Sequence, residues 1–308
     1  MKKALILALI LFFGAAPAHA VPTPLTDNGF PTGGTGGIHP MPAGAALQEL
    51  FQPGLTPVGA NDFSCKPAKG QRPVILIPGT TGSAFNSFSG MAPVLKGEGL
   101  CVFTFNHNPL GFSSQVSFAG DIADSARMLG TVVDKVLEST GAEQVDLVGW
   151  SQGGGPLPVF YINKLGGAEK VHKVVGVVPS HHGTNFWLVH DYAQRNPAVR
   201  ADFDNFGAAV NGLALAQQLA GSEFMNDLYS EPVRAEYMNI ATQFDQIVLP
   251  YSNSYLEGSD NRLVQDYCPG RQTTHLNATY DPVVHALVLE GLSGVPRPKN
   301  CAAPVPVI

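Results

Sequence analysis

Five consecutive residues, Gly149-Trp150-Ser151-Gln152-Gly153, carry the clearest chemistry in this sequence. They follow an apolar run, Val145 to Val148, and precede a stretch rich in small residues. Strand, sharp turn and helix in that order make a nucleophile elbow, G-x-S-x-G, which holds a serine hydroxyl clear of its surroundings. Glycines flank the serine because a larger side chain would collide with the neighbouring strand or the start of the helix. A serine hydroxyl is a weak nucleophile. It needs an imidazole to take its proton and a carboxylate to fix the imidazole's tautomer.

On an α/β-hydrolase sheet the chain order is serine, acid, histidine, each on a loop after a strand. Of the histidines after Ser151, His172 falls inside a predicted strand. His181, His182 and His190 precede most acid candidates. His285 sits inside a predicted closing helix. His275 follows the last predicted strand and is the favoured base, with His285 the alternative. Asp245 lies just past the predicted strand at 237–241 and is the favoured acid. Its competitors are Asp260, in a turn-like Gly-Ser-Asp-Asn run, and Asp266, inside the predicted last strand. An oxyanion hole needs two backbone N–H donors aimed at the developing charge. Gln152, after the nucleophile, supplies one, and Thr80 or Thr81 the other, with the Thr80 hydroxyl available as a third donor.

These residues need a scaffold. Val74-Ile75-Leu76-Ile77, bounded by prolines, reads as a strand buried on both faces of a parallel sheet. It ends in Pro78-Gly79-Thr80-Thr81-Gly82-Ser83, at the edge where such sheets place ligand contacts. Further strands are expected at 100–105, 145–148, 171–178, 237–241 and 263–267. Ile122, Ala126, Leu129, Val133 and Val136 form one apolar face of a helix over 121–140, stopped by Gly141. Asp281 to Leu292 reads as a closing helix with Pro282 at its first position. Strands alternating with helices imply an α/β fold of the α/β-hydrolase type, a mostly parallel sheet covered on both faces. Residues 186–236 are the least strand-like, and read equally as a cap or lid over the site or as a packed helix pair. Residues 21–60, rich in Pro and Gly, read as an extended or partly disordered arm, and 61–308 as one catalytic domain.

Residues 1–20 have the form of a secretory signal: Lys2 and Lys3, an apolar run from Ala4 to Phe13, and Ala18-His19-Ala20 as the cleavage site. Without them the chain has 16 basic against 24 acidic residues. That balance argues against nucleic acid as a partner, which requires clustered Lys and Arg. Cys65, Cys101, Cys268 and Cys301 suit an oxidising compartment, outside the cell or in a periplasm. Of three pairings, Cys65–Cys101 and Cys268–Cys301 are favoured, since each closes a short local loop. The spacings suit no zinc site, and the serine chemistry calls for neither metal nor organic cofactor.

With these residues in place the chain resembles the secreted class 2 lipases of bacteria, which have the α/β-hydrolase fold. The carrying segments are Asn61 to Pro67, Pro78-Gly79-Thr80, Val145 to Gly154, Val178 to Thr184, and His275 with Tyr280 to Val283. The elbow and the Pro-Gly-Thr loop are also similar to those of yeast lipase B. The resemblance implies hydrolysis of carboxylic esters through an acyl-serine, the same two disulfides, and Thr80 as an oxyanion donor. Trp150 departs from the pattern, many relatives having His there. The expected reading is a secreted lipase or esterase whose partner is an ester with an acyl chain, met in solution, at a lipid–water interface or as a polyester. No obligate protein partner is implied. Trp150, Phe85, Phe186, Trp187, Leu249 and the apolar run at 213–220 are candidates to line an acyl groove. A serine amidase or peptidase on the same scaffold, or a catalytically silent binding protein, is the alternative.

Overall fold

The computed structural model describes residues 26–110, 113, 115–185 and 212–307. The expected signal at 1–20, and His190, Phe186 and Trp187 of the expected cap, lie outside these residues.

A short hairpin, β1 (Thr26–Asp27) and β2 (Phe30–Pro31), leads into helix α1 (Pro42–Phe51). The arm is therefore partly helical where an extended chain was expected. Pro42 opens the helix, where its missing N–H costs nothing, and Ala, Leu and Gln continue it. Six strands then build the central sheet: β3 (Val74–Ile77), β4 (Val102–Thr104), β5 (Val145–Trp150), β6 (Val171–Val177), β7 (Glu236–Ala241) and β8 (Asp260–Leu263). They lie in the order β4-β3-β5-β6-β7-β8, every neighbouring pair parallel. This is the expected α/β-hydrolase sheet, and β3, β4 and most of β5 are buried on both faces.

Helix α2 (Ile122–Thr140) packs one face of the sheet with α3 (Pro156–Lys164), through Ile122, Ala126, Leu129, Val133 and Leu157. Asp121 caps α2 by accepting the Ala123 N–H, and Gly141 ends it at φ 75°. Helix α4 (Pro282–Ser293) covers the other face through Val283, Val284, Leu287 and Val288. Within 186–236, helices at Leu213–Gln217 and Glu223–Leu228 are described. The apolar helix expected over 213–220 thus ends at Gln217.

The last strand is a correction. It spans Asp260–Leu263, and Val264–Tyr267 is a helical turn. An edge strand has one neighbour, so polar residues serve it. Asn261 accepts from the Asn239 amide and donates to the Leu256 carbonyl, and Arg262 pairs with Asp260 and Glu290. No apolar pattern marks such a strand. Asp260 therefore stands in a strand rather than a turn, and Asp266 on an exposed helical turn.

Both disulfides pair as expected, Cys65–Cys101 and Cys268–Cys301. The second ties the C-terminal tail to the segment carrying His275. Beside it Arg271, buried, grips Asp281 with Nε at 2.9 and 2.8 Å, and donates from Nη1 to the Cys301 and Ala303 carbonyls. Asp281 also accepts from Thr273 Oγ1 and caps α4 through the Val283 N–H. Removing one partner of a buried pair strands the other charge. Arg271→Ala is thus expected to destabilise the protein by about 3–5 kcal/mol, read from denaturant midpoints.

Candidate active site

Ser151 stands at the carboxyl end of β5, the strand between β3 and β6. Its backbone has φ 55°, the left-handed region that non-glycine residues seldom enter. The turn is possible because Gly149 has no side chain: a Cβ there would meet the Gly153 carbonyl oxygen at 1.7 Å. A short 3-10 turn (Ser151–Gly154) and then α3 follow. Ser151 is largely buried, and its Oγ hydrogen-bonds no described residue.

His275 and Asp245 meet in a buried pair. The imidazole Nδ1 lies 2.9 Å from Asp245 Oδ2, with both side chains nearly inaccessible. Asp245 Oδ1 accepts the backbone N–H groups of Ile247 and Val248 at 2.8 and 2.7 Å. The carboxylate is therefore satisfied on both oxygens, and Oδ2 remains for the imidazole. That arrangement favours the tautomer protonated on Nδ1, leaving Nε2 free to accept a proton.

The neighbours of Ser151 and Asp245 hold the His275 backbone. Trp150 Nε1–H donates to the His275 carbonyl at 3.0 Å, and its ring centroid lies 5.6 Å from the imidazole. Gln246 Oε1 accepts the His275 N–H at 2.9 Å. A parallel bridge between Phe244 and Thr274, and the hydrogen bond from Thr242 Oγ1 to the Thr273 carbonyl, join the Asp245 loop to the His275 loop. The peptide of His275 is thus tied to the residue before Ser151 and the residue after Asp245.

The loop after β3 closes over the elbow. A Cβ on Gly79 would stand 3.0 Å from Ser151 Cβ, so only glycine lets the two loops approach this closely. Thr80 Oγ1 accepts the side-chain N–H groups of Gln152 and Gln218 at 2.8 and 2.6 Å. Two accepted hydrogen bonds leave the hydroxyl hydrogen free to donate elsewhere. Gln218 in turn accepts from Ser180 Oγ at 2.9 Å. Neither Gln218 nor Ser180 was singled out as a site residue from sequence. No spacing signal marks them, since 138 residues separate Gln218 from Thr80.

The other histidines have structural partners or lie apart. His172 meets Asp146 at 2.8 Å. His181 is buried, takes the Tyr229 hydroxyl on Nδ1 and meets Asn239 on Nε2, and burial holds it neutral with a pKa of about 4. His182 is exposed. His285, the alternative base, is buried and donates from Nε2 to the Thr279 carbonyl. Among the acid competitors, Asp260 pairs with Arg262 and Asp266 is exposed.

A cavity of about 220 Å³ opens beside the elbow, lined by Ala43 and Ala46 of α1, Thr81, Trp150, Leu276 and Thr279 among others. A larger crevice of about 580 Å³ runs under the C-terminal tail, between Cys268–Asn277 and Cys301–Val307. None of Ser151, Asp245 and His275 lines either cavity, and the smaller one is flanked by their chain neighbours Trp150 and Leu276. Of the expected groove residues, Trp150 lines this cavity, whereas Phe85 is wholly buried with Ala45, Leu55 and Tyr280 and is core. Leu249 is partly buried on the loop after Asp245.

Helix α1 reaches the site through Glu49, a buried carboxyl that accepts from Ser83 Oγ at 2.6 Å. Ser83 caps the helix that follows the Thr80 loop. Glu49 Oε1 makes no hydrogen bond among the described residues, and burial raises the carboxyl from 4.5 to about 7. The unfolded chain releases this proton near the ordinary pKa while the folded chain keeps it. Stability contributed by the protonated group therefore falls as pH rises from about 4.5 to about 7 and is level above that. Glu49→Gln is expected to remove this slope and raise stability above pH 7, by up to about 3 kcal/mol. Melting temperatures of both proteins between pH 4 and 9 check this.

The alpha/beta hydrolase fold family matches residues 72–299. Among solved structures, lipase B of Aspergillus fumigatus superposes with a TM-score of 0.59 at 21% identity, over 80% of this chain and 57% of that one. The mature lipase BlEst2 of Bacillus licheniformis gives 0.48 at 17% identity, over 64% and 85%. The carboxylesterase CesB of Bacillus subtilis gives 0.48 at 15%, over 75% and 86%. The chain thus spans little more than half the length of the Aspergillus protein, and at this identity the likeness is one of fold.

Proposed function

Because the chain belongs to the alpha/beta hydrolase fold family, and because Trp150, the residue before its elbow serine, bonds the peptide of a buried His–Asp pair, we propose that it is a carboxylic-ester hydrolase, a lipase or esterase. The observation that carries this reading is the His275–Asp245 pair, 2.9 Å apart, tied to the elbow through Trp150. In the proposed reaction Ser151 Oγ attacks the ester carbonyl and gives its proton to His275 Nε2. Asp245 holds the Nδ1 proton and stabilises the imidazolium. The backbone N–H groups of Thr80 and Gln152 receive the negative charge on the carbonyl oxygen, with the Thr80 hydroxyl as a third donor. His275 passes its proton to the leaving alcohol, and an acyl group remains on Ser151. Water, deprotonated by the same imidazole, then releases the acid and restores the serine.

The substrate on this reading is an ester with an acyl chain, polyesters included, since the carbonyl chemistry is the same. The two disulfides support an extracellular or periplasmic setting. The helices at 213–228 are proposed as part of a cap, because Gln218, between them, reaches Thr80. The test is turnover of p-nitrophenyl esters from two to sixteen carbons, with labelling by a fluorophosphonate. The reading expects ester turnover and one phosphonyl group per chain, on the peptide containing Ser151. Turnover of none of the esters, or labelling elsewhere, would overturn it.

A further inference from the structure

Residues 37–53, with α1 at their centre, leave the body of the protein and return to it through a narrow neck. The Gly33 N–H donates to the Gly54 carbonyl at 2.7 Å, the Gly36 N–H to the Thr56 carbonyl at 3.0 Å, and the Thr56 N–H to the Gly34 carbonyl at 2.8 Å. The two sides come this close because glycine lines the neck. A Cβ on Gly33 would meet the Pro53 carbonyl oxygen at 2.3 Å.

Little fastens the segment beyond the neck. Of residues 37–53 only Ala45 and Glu49 are buried, and Ile38, Leu47, Leu50 and Phe51 are exposed. No large apolar side chain is buried to hold it down. Segments with so few buried apolar contacts open locally, at less cost than global unfolding. The polar fastening is Glu49, whose Oε2 accepts from Ser83 Oγ at 2.6 Å beside the Asn86 amide. Ala43 and Ala46 of the same segment line the cavity flanked by Trp150 and Leu276, so lifting it removes one wall of that cavity.

We propose that residues 37–53 are a hinged flap beside the elbow, latched on Ser83 by the neutral Glu49 carboxyl and loosened when that carboxyl ionises. A neutral carboxyl leaves one uncharged oxygen unbonded. A carboxylate leaves negative charge on Oε1, which is buried and has no donor among the described residues. No cation offsets it. Residues 83–90, which pack on α1, carry no charged side chain. The turn Ala278–Tyr280 brings the Tyr280 phenol, which burial keeps neutral. His39, on the flap itself, meets Gln48 Oε1 at 2.8 Å and the Phe85 ring. Lifted into water, Glu49 is an ordinary carboxylate. The lifted flap therefore binds fewer protons than the latched one between pH 4.5 and about 7. Lifting becomes easier as pH rises through that window and is level above it.

Hydrogen exchange of the intact protein, read at the amides of 46–51 and of α2 from pH 4.5 to 8.5, tests this without substrate, so the outcome is independent of the ester-hydrolase reading. Rates are divided by the intrinsic exchange rate at each pH to give an opening constant. The constant for 46–51 is expected to exceed that for α2 throughout, to rise on the order of 100-fold, and to level off above about pH 7. Glu49→Gln, which keeps the shape of the neutral carboxyl, is expected to hold the constant near the parent's value at pH 4.5 across the whole range. His39→Gln is expected to keep the parent's rise. A constant for 46–51 that matches α2 would overturn the proposal, since the flap would then open only by global unfolding. A constant that does not change with pH would also overturn it, and the parent alone decides this if the Gln variant fails to fold. So would a rise that survives Glu49→Gln, or one that disappears in His39→Gln, which would move the latch to the imidazole.

Discussion

Ester turnover by the Ser151→Ala protein is expected to fall by about 10⁴-fold or more, with KM changed little. The substitution removes one oxygen from a turn whose shape it does not create. Gly149 sets the closeness of the elbow, and alanine at φ 55° bears no more backbone strain than serine does. Without Oγ there is no acyl-enzyme. The oxyanion donors and the bound geometry then supply only a residual acceleration of water attack. The measurement is kcat on a short p-nitrophenyl ester, with the active-site concentration set by fluorophosphonate titration of the parent. Retention of more than about one hundredth of the parent rate would remove Ser151 from the mechanism.

Asp245→Asn is expected to cost about 10⁴-fold in kcat while leaving the fold in place. Asp245 Oδ1 is claimed by the Ile247 and Val248 N–H groups, at 2.8 and 2.7 Å. The asparagine oxygen takes that position, and its amide nitrogen then faces His275. An N–H group facing Nδ1 forces Nδ1 to accept and puts the imidazole proton on Nε2. That tautomer cannot take the Ser151 proton. Asp245→Ala, by contrast, leaves two backbone N–H groups unpaired in a buried loop and is expected to lower stability as well as rate. The pair of variants separates the two roles: Asn with a near-parental melting temperature and little turnover, Ala with losses in both. An Asn variant that keeps its rate would move the acid role to another carboxylate.

Both predictions rest on residues that could be picked out in the linear sequence, and the reason is chemical. An elbow needs glycines at two fixed offsets from its serine, so Gly149, Ser151 and Gly153 form a local pattern. Buried parallel strands need unbroken apolar runs, so Val74–Ile77 and Val145–Val148 stand out. Asp245 and His275 follow from chain order along such a sheet, and the structure sets them 2.9 Å apart. The helix over 121–140 is legible for a similar reason, because its apolar period, its Asp cap and its Gly stop agree. The disulfides were legible as short loops.

The rest depends on contacts between residues far apart in the chain. β8 escaped notice because an edge strand serves one neighbour and tolerates Asp, Asn and Arg. Gln218 and Ser180 escaped because a hydrogen bond across 138 residues leaves no local pattern. Trp150 was read as a groove residue, yet its indole N–H also holds the peptide of His275. Most of all, α1 lies in a stretch whose Pro and Gly content reads as an extended or partly disordered arm. Only the packed structure makes it a helix and orients it, by offering Glu49 the hydroxyl of Ser83 and leaving Leu47, Leu50 and Phe51 uncovered. Local spacing determined which groups are available for catalysis. Tertiary packing decided what holds them in place and which apolar face remains beside them.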